Sequence, residues 1–99
     1  MTQAAIYTLD REPKVGDLIV AAAIKQGKMV CFVAQPGRHH DVIRAMAAAG
    51  IPIPINGEQG FLTNEGVFVG RKLAKVIATR AGQVLSPRDH DQLFSEDVW

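Results

Sequence analysis

The sequence is short of cysteine, of aromatic residues and of net charge. One cysteine among 99 residues allows no internal disulfide, and the lack of a C-x-x-C pair removes a common zinc-binding pattern. A net charge of +1 contrasts with the clustered basic excess of proteins that grip nucleic acids. We therefore expect no disulfide framework, no cysteine-based metal site and no DNA or RNA polymer as partner.

Long apolar runs and catalytic signatures are missing as well. The N-terminal sequence MTQAAIYTLDREPK lacks the basic start and apolar core of a signal peptide, and no run approaches the length of a membrane span. The chain has no P-loop, no dinucleotide-binding glycine pattern, no G-x-S-x-G and no H-E-x-x-H. These absences predict a cytosolic protein with no membrane contact, no cofactor and no standard catalytic centre.

Apolar residues, by contrast, are plentiful and make up 47% of the chain, which predicts one folded domain over residues 1–99. A domain of this size buries only about 65% of the surface that its unfolded chain exposes. Self-association would add to that burial, so we expect an oligomer. The succession of hairpin and helix patterns predicts an α+β fold, with a small antiparallel sheet and two main helices.

Two β-hairpins are predicted. In the first, apolar runs near residues 18–24 and 29–34 flank a turn, and a further strand is expected before them at Ala4–Leu9. The alanines of the first run also suit a helix, which leaves that alternative open. The second hairpin covers residues 59–70, with Asn64-Glu65-Gly66 as its turn.

Two helices are predicted, one from about His39 to Ala49 and one from Arg71 to Arg80. Each is followed by a glycine, Gly50 or Gly82, suited to the left-handed conformation just past a helix end. The expected apolar faces are Val42, Ile43, Met46 and Ala47 in the first helix, and Leu73, Val76 and Ile77 in the second.

The last part of the chain carries two further signals. Ser86-Pro87-Arg88-Asp89 is typical of a short helix start, with serine as N-cap and proline at the first helical position. The final stretch LFSEDVW has apolar residues at both ends, so we expect it to dock on a neighbouring surface.

The sequence GRHHD at residues 37–41 could hold a metal, perform acid–base chemistry or bind an anion. Adjacent helical residues point about 100° apart, so His39 and His40 are poorly placed to share one metal ion. His39 and Asp41 could form a catalytic pair, although no nucleophile is marked. Anion binding fits best, because a helix start offers free N–H groups and partial positive charge, and Arg38 adds a two-pronged donor.

The same pattern recurs at two other predicted helix starts. Gly70-Arg71 opens the second helix and Pro87-Arg88 opens the short third one. A solvated arginine is the ordinary interpretation of any one of them, whereas three together favour a shared anionic pocket. Phe61 is either a core residue or a platform on which a nucleotide base stacks.

Four segments together resemble a family of small phage proteins. They are RHHDVI (38–43), QGFLT (59–63), FVGRKLAKVIATRAGQ (68–83) and LFSED (93–97). In order and spacing they are similar to the phage anti-Thoeris sponge family, the first-described type of Thoeris anti-defence protein. The resemblance implies a protein of the infected bacterial cytoplasm that sequesters cyclic ADP-ribose-type immune signals, and in some members cyclic di- or trinucleotides, without cutting them. It also implies dimers, and hexamers in many members.

Carried over to this sequence, the resemblance implies a set of ligand contacts. These are Arg38, His39, Phe61, Thr63, Arg71 and Arg88. Two other functions remain open on the sequence. One is a small nucleotide hydrolase or phosphodiesterase that uses His39 and Asp41, and the other is a phage inhibitor that binds a protein.

Overall fold

The described residues form one five-stranded antiparallel sheet with two helices. The computed structural model describes residues 2–5, 16–52, 54–86 and 91–99. The elements are β1 (Thr2–Ala5), β2 (Ile19–Gln26), β3 (Met29–Ala34), α1 (His39–Ala48), β4 (Glu58–Thr63), β5 (Phe68–Gly70), α2 (Arg71–Arg80) and a 3-10 turn (Ser95–Asp97). The strand order is β1-β3-β2-β4-β5, with antiparallel pairing throughout. The predicted α+β class is confirmed.

Both predicted hairpins are present. The β2–β3 loop is reduced to Gly27 and Lys28, since Gln26 already pairs with Met29. Gly27 has φ +62°, a left-handed value that glycine adopts at little cost in such two-residue loops. The strand expected at Ala4–Leu9 is found at Thr2–Ala5, paired with β3, and residues 6–9 lie outside the described part. The predicted helix start at 86–89 also falls mostly outside it.

The alanine run of β2 is a strand, not the helix that the sequence left open. Ala22 pairs with Phe61 on one face of the sheet, whereas Ala21 and Ala23 pack with Leu62 on the other face. All three alanines are at most 3% exposed. Burial on both faces of the sheet outweighs the helix propensity of alanine, which is a weak preference by comparison.

The two helices lie on the same face of the sheet. The core under α1 includes Ala22, and the core under α2 includes Phe61. Ala22 and Phe61 are paired residues of β2 and β4, so their side chains project to the same side. Helix α1 therefore covers β2 and β3, and α2 covers the β4–β5 edge beside it.

The predicted buried face was partly wrong in each helix. In α2 the inward residues are Ala74, Ile77 and Ala78, and the predicted Leu73 and Val76 are 41% and 44% exposed. Small alanines allow a helix to approach a sheet closely, so the larger aliphatic residues turn outward. In α1 the buried residues are His39, Val42 and Met46, whereas the predicted Ala47 is exposed.

Both helices end in the predicted way. Gly50 and Gly82 have φ +92° and +70°. After α1 the N–H of Ile51 donates to the Met46 carbonyl and that of Gly50 to the Ala47 carbonyl, which is the Schellman pattern; α2 ends with the same pair of bonds. The Gln83 side-chain amide then bonds to both main-chain groups of Ile19, at 2.8 and 2.9 Å, and fastens the end of α2 to β2.

Residues 91–99, here called the C-terminal segment, dock on the protein as expected. Leu93, Asp97 and Val98 are at most 7% exposed, and Leu93 and Val98 join the core under α2. The surface that receives the segment belongs to the same chain. None of the helices in the described part of the chain has the length and hydropathy to cross a bilayer.

Candidate functional site

The start of α1 is closed by its own third residue. Arg38 is the N-cap, and its main-chain N–H donates to Oδ2 of Asp41 at 2.9 Å. This bond lowers the pKa of Asp41; burial opposes the shift, and the charges of His40, Arg44 and Arg38 add to it. A carboxylate in the first turn also suits the partial positive charge of a helix start. Asp41 thus stabilises the helix start through the main chain.

Gly37 is needed for packing at this place. A Cβ built on it would lie 2.0 Å from Cγ1 of Val33, so only glycine fits without rearrangement. Its carbonyl accepts a 2.7 Å hydrogen bond from the indole Nε1 of Trp99. Val33 and Trp99 therefore occupy the space next to Gly37.

His39 points into the protein and His40 points out of it, as their spacing on the helix predicts. Nε2 of His39 donates to the Gly60 carbonyl at 2.7 Å, and the residue is 7% exposed. Burial lowers the pKa of His39; the Gly60 bond opposes that shift, Arg71 adds to it and Glu96 opposes it. Within the described residues no three His, Cys, Asp or Glu side chains are grouped closely enough for a metal ion.

Phe61 lies beneath this histidine and has no exposed surface. Its ring meets His39 edge-on at 5.0 Å between centroids, and Trp99 edge-on at 6.2 Å. Such perpendicular contacts are favourable for aromatic pairs. Because Phe61 has no exposed surface, a base can stack on it only after a conformational change, and the stacking role stays a prediction.

Thr63 shapes the second hairpin. Its hydroxyl accepts hydrogen bonds from the main-chain N–H groups of Glu65 and Val67, each at 3.2 Å, and the residue is 2% exposed. These bonds fix the turn between β4 and β5. The ligand contact implied for Thr63 stays a prediction, and the observed role is structural.

Arg71 begins α2 and is held between a glutamine and an aromatic ring. Its Nη1 and Nη2 donate to Oε1 of Gln59 at 3.0 and 2.7 Å. The guanidinium carbon lies 4.5 Å from the ring centroid of Phe94, a cation–π distance. Burial lowers the pKa of Arg71, and the charge of Glu96 opposes that shift. The two bonds to Gln59 occupy two of the five guanidinium donors.

Arg38 reaches the C-terminal segment. Its Nη2 donates to the main-chain oxygen of Trp99, and its Nη1 lies 3.8 Å from Oε2 of Glu96. Nη1 is buried, yet no hydrogen-bond acceptor contacts it among the described residues. Buried donors are seldom left without an acceptor, so this atom has capacity for a further partner.

The structure thus brings four predicted site residues together around the C-terminal segment. Phe61 contacts both His39 and Trp99, and Arg38 contacts Trp99. The negative charge of Glu96 acts on both Arg71 and His39. Thr63 lies farther along β4, in the hairpin turn. Arg88 falls outside the described residues.

Sequence reasoning missed several partners of these residues. They are Gln59, Phe94, Glu96 and Trp99. Gln59 and the LFSED stretch were part of the quoted segments, but nothing local in the sequence indicates that they meet the two arginines. That meeting depends on the path of the C-terminal segment across the sheet.

An open depression of about 450 Å³ adjoins Arg71. Its lining includes Glu58, Gln59, Gly70, Arg71 and Lys72. Two cations at the first turn of α2 make it a reasonable place for an anion, and its volume is in the range of small-molecule sites.

Comparison with known proteins gives one family. The model of the phage T4 y16D protein family matches residues 18–99, which is most of the chain and includes both helices and the C-terminal segment. No curated protein and no solved structure matches the chain. The chain therefore belongs to the phage T4 y16D protein family.

Proposed function

We propose that this phage protein binds a cyclic nucleotide signal of the host and holds it intact, which blocks the antiphage defence that the signal triggers. The observation that carries the proposal is that Arg38 and Arg71, from two different helix starts, both contact the C-terminal segment, where Glu96 lies 3.8 Å from Arg38 and acts electrostatically on Arg71. Guanidinium groups match phosphate oxygens in a two-pronged geometry. The resemblance to the anti-Thoeris sponges supports a cyclic ADP-ribose-type molecule or a cyclic oligonucleotide as the ligand.

The balance of charge around the two arginines supports an anionic ligand. Asp41 is engaged by the main chain at the start of α1, and Glu96 is the carboxylate that lies beside Arg38 and acts electrostatically on Arg71. Lys72 lines the depression beside Arg71 together with one carboxylate, Glu58. A diphosphate-bearing ligand would supply more negative charge than Glu96 does.

The contacts of His39 and Asp41 favour holding the ligand over cleaving it. The lowered pKa of His39 favours the neutral form, and its Nε2 proton is donated to Gly60. Asp41 binds the main chain of Arg38 and lies beside His40. His39 and Asp41 therefore do not form with each other the hydrogen-bonded pair that would make His39 a general base.

Incubation with cyclic ADP-ribose, followed by heat denaturation and chromatography of the released ligand, tests the proposal. We expect intact cyclic ADP-ribose in the protein-bound fraction. A hydrolysis product would support the phosphodiesterase alternative, and a lack of binding across a panel of cyclic nucleotides would leave the protein-binding inhibitor. Ligand-dependent stabilisation, which follows RT ln(1 + [L]/Kd), reports the preferred member of the panel.

A matched pair of arginine variants tests the site itself. Arg71→Lys keeps the charge but removes the two-pronged donor, so we expect affinity to fall by about tenfold. Arg80→Lys makes the same change at the exposed other end of α2 and should bind like the parent. Equal affinity of the two variants would place the ligand elsewhere. Binding should also survive EDTA, because the proposed contacts need no metal.

Homo-oligomer formation is part of the proposal. Leu73 and Val76 turn an apolar stripe of α2 outward, and a second copy of the chain would cover it. Light scattering should give at least a dimer, and a monomer at micromolar concentration would contradict the proposal. Leu73→Glu should shift the mass downward, whereas Thr79→Glu, on an exposed part of the same helix, should leave it unchanged.

A further inference from the structure

The C-terminal segment contacts both arginines, Arg71 through the ring of Phe94 and Arg38 through Glu96 and Trp99. Glu96 lies 3.8 Å from Nη1 of Arg38 and acts electrostatically on Arg71. Trp99 accepts a hydrogen bond from Nη2 of Arg38 through its main-chain oxygen, and its ring meets Phe61 edge-on. The Arg38 guanidinium therefore contacts both the Glu96 carboxylate and Trp99, whose ring contacts Phe61.

We infer that Glu96 and Trp99 form an internal gate on Arg38, in which the Glu96 carboxylate stands where an anionic group of the ligand binds. The entering anion displaces Glu96, takes over the Arg38 guanidinium, and so releases Trp99 from Phe61. For the identity of that ligand the inference rests on the proposed function, but the exchange of anions at Arg38 does not depend on it.

The Glu96 contact is weak enough to be exchanged. Its side chain is 59% exposed and also accepts a hydrogen bond from the neighbouring Ser95 hydroxyl at 3.1 Å, and exposed ion pairs of this kind contribute little to stability. The 3.8 Å separation exceeds hydrogen-bond length, and Nη1 has no other acceptor in the described part of the chain. A phosphate group, with more charge and more acceptor oxygens than a carboxylate, would satisfy this nitrogen better.

The moving parts are small because the rest of the segment is anchored. The Asp97 carbonyl accepts hydrogen bonds from the N–H groups of Leu85 and Ser86, at 2.7 and 3.3 Å. Val98 is buried in the core under α2. Trp99 is held by its bonds to Arg38 and to the Gly37 carbonyl, by a 3.2 Å bond from its main-chain N–H to the Ser95 carbonyl, and by its edge-on contact with Phe61. Opening therefore needs a rotation of the Glu96 side chain and a displacement of the Trp99 side chain, while the main chain of Ser95–Val98 stays in place.

The gate predicts that Phe61 becomes accessible only when the site holds an anion. Phe61 has no exposed surface with Trp99 in place. Release of Trp99 would uncover the ring beside His39, at a position adjoining the captured anion. Phe61 would then be buried while Trp99 is in place, and would stack on a base once the site holds an anion.

Inorganic pyrophosphate serves as the probe, and Trp99, the only tryptophan in the sequence, serves as the reporter. Pyrophosphate is titrated into the parent, Glu96→Gln, Glu96→Ala and the control Glu65→Gln, at constant ionic strength. We expect pyrophosphate to shift the Trp99 emission of the parent to longer wavelength. Both Glu96 variants should bind it about fivefold more tightly, because the internal competitor is gone. Glu65→Gln removes the same charge on the distant hairpin turn and should match the parent.

Three results would overturn the gate. They are equal or weaker pyrophosphate binding by both Glu96 variants, binding without any change in Trp99 emission, and no pyrophosphate binding by any of the proteins. Circular dichroism of the variants confirms that they are folded.

A parallel titration with cyclic ADP-ribose separates the gate from the proposed function. If pyrophosphate gives the expected pattern and no cyclic nucleotide binds, the gate stands and the nucleotide function falls. If cyclic ADP-ribose binds with no gain in the Glu96 variants and no change at Trp99, the function stands and the gate is wrong.

Discussion

The two helices begin with the same dipeptide, Gly-Arg, but the two starts are built differently. At α1 the arginine is the N-cap, its main chain is bound by Asp41, and its side chain reaches Trp99 and Glu96. At α2 the glycine is the N-cap and Arg71 is the first helical residue, held by Gln59 and Phe94. The same local pattern thus places Arg38 against Glu96 and Trp99, and Arg71 between Phe94 and an open depression.

The difference shows that a glycine and an arginine at a helix start do not by themselves make an anion site. The start of α1 is satisfied by a carboxylate of its own first turn, whereas the first turn of α2 contains no acidic residue. The nearby carboxylate at α2 comes from β4, because a Cβ on Gly70 would lie 2.7 Å from Oε2 of Glu58. We therefore expect a ligand anion to compete with Glu58 at the α2 start and to bind at the α1 start through the side chain of Arg38.

The largest expected effect comes from truncating Phe61, the residue that packs against both His39 of α1 and the core under α2. Phe61→Ala deletes a fully buried ring that contacts His39 of α1 and packs in the core under α2. Truncations of this kind lower the free energy of unfolding by about 3–5 kcal/mol, which urea denaturation would measure. Phe68→Ala, a half-buried residue on the other face, should lose less. Equal losses of unfolding free energy in the two variants would mean that the contacts of Phe61 with His39 and with the core under α2 add no more stability than the contacts of Phe68.

Next in size is the loss of the Arg38 side chain. Arg38→Gln removes a charge-assisted bond to Trp99, and we expect unfolding to become easier by about 1.5 kcal/mol, the low end for such bonds because Arg38 is one-third exposed. Trp99 emission should shift to longer wavelength without ligand. Arg71→Gln should leave that emission almost unchanged, and so should Arg44→Gln on the exposed side of α1. A shift of equal size in all three would contradict the assignment of Trp99 to Arg38.

A smaller effect is expected from the carboxylate cap that α1 has and α2 lacks. Asp41→Ala removes the acceptor for the Arg38 N–H and should lower the free energy of unfolding by less than the loss of the Arg38 side chain does, as denaturation experiments would measure. Asp41→Asn keeps an acceptor oxygen and should lose only part of this. If both substitutions cost nothing, the start of α1 is as open as that of α2, and the contrast between them disappears.

The fold was largely predictable because its signals are local. The glycines after both helices and the turn residues of both hairpins gave the elements nearly to the residue. The inward face of α2 was not predictable, since the close approach of Ala74 and Ala78 depends on the sheet beneath them. Pattern reasoning favours the larger Leu73 and Val76, and packing geometry reverses that preference.

The candidate site was predictable only in its arginines and its histidine. A helix start marks Arg38, His39 and Arg71 from the sequence, but their partners lie far along the chain. Trp99 meets Gly37 across 62 positions and Arg38 across 61. No local pattern encodes such contacts, so the sequence left Phe61 open between a core residue and a stacking platform, and the structure places it in the core beside Trp99.

The smallest expected effect is a pH dependence from His39, whose ring lies between the two helix starts. Burial holds its pKa below the ordinary 6.5, so the unfolded chain takes up this proton before the folded protein does. The contribution to stability is fully present above pH 6.5, declines as the pH falls below that value, and stops declining once the pH passes the folded pKa. His39→Gln should flatten this decline in denaturation curves between pH 7 and pH 5, while keeping an N–H donor for Gly60. His40→Gln, at the exposed neighbouring position, should retain the decline of the parent. A decline that survives in His39→Gln and disappears in His40→Gln would show that the buried histidine is not the group that titrates.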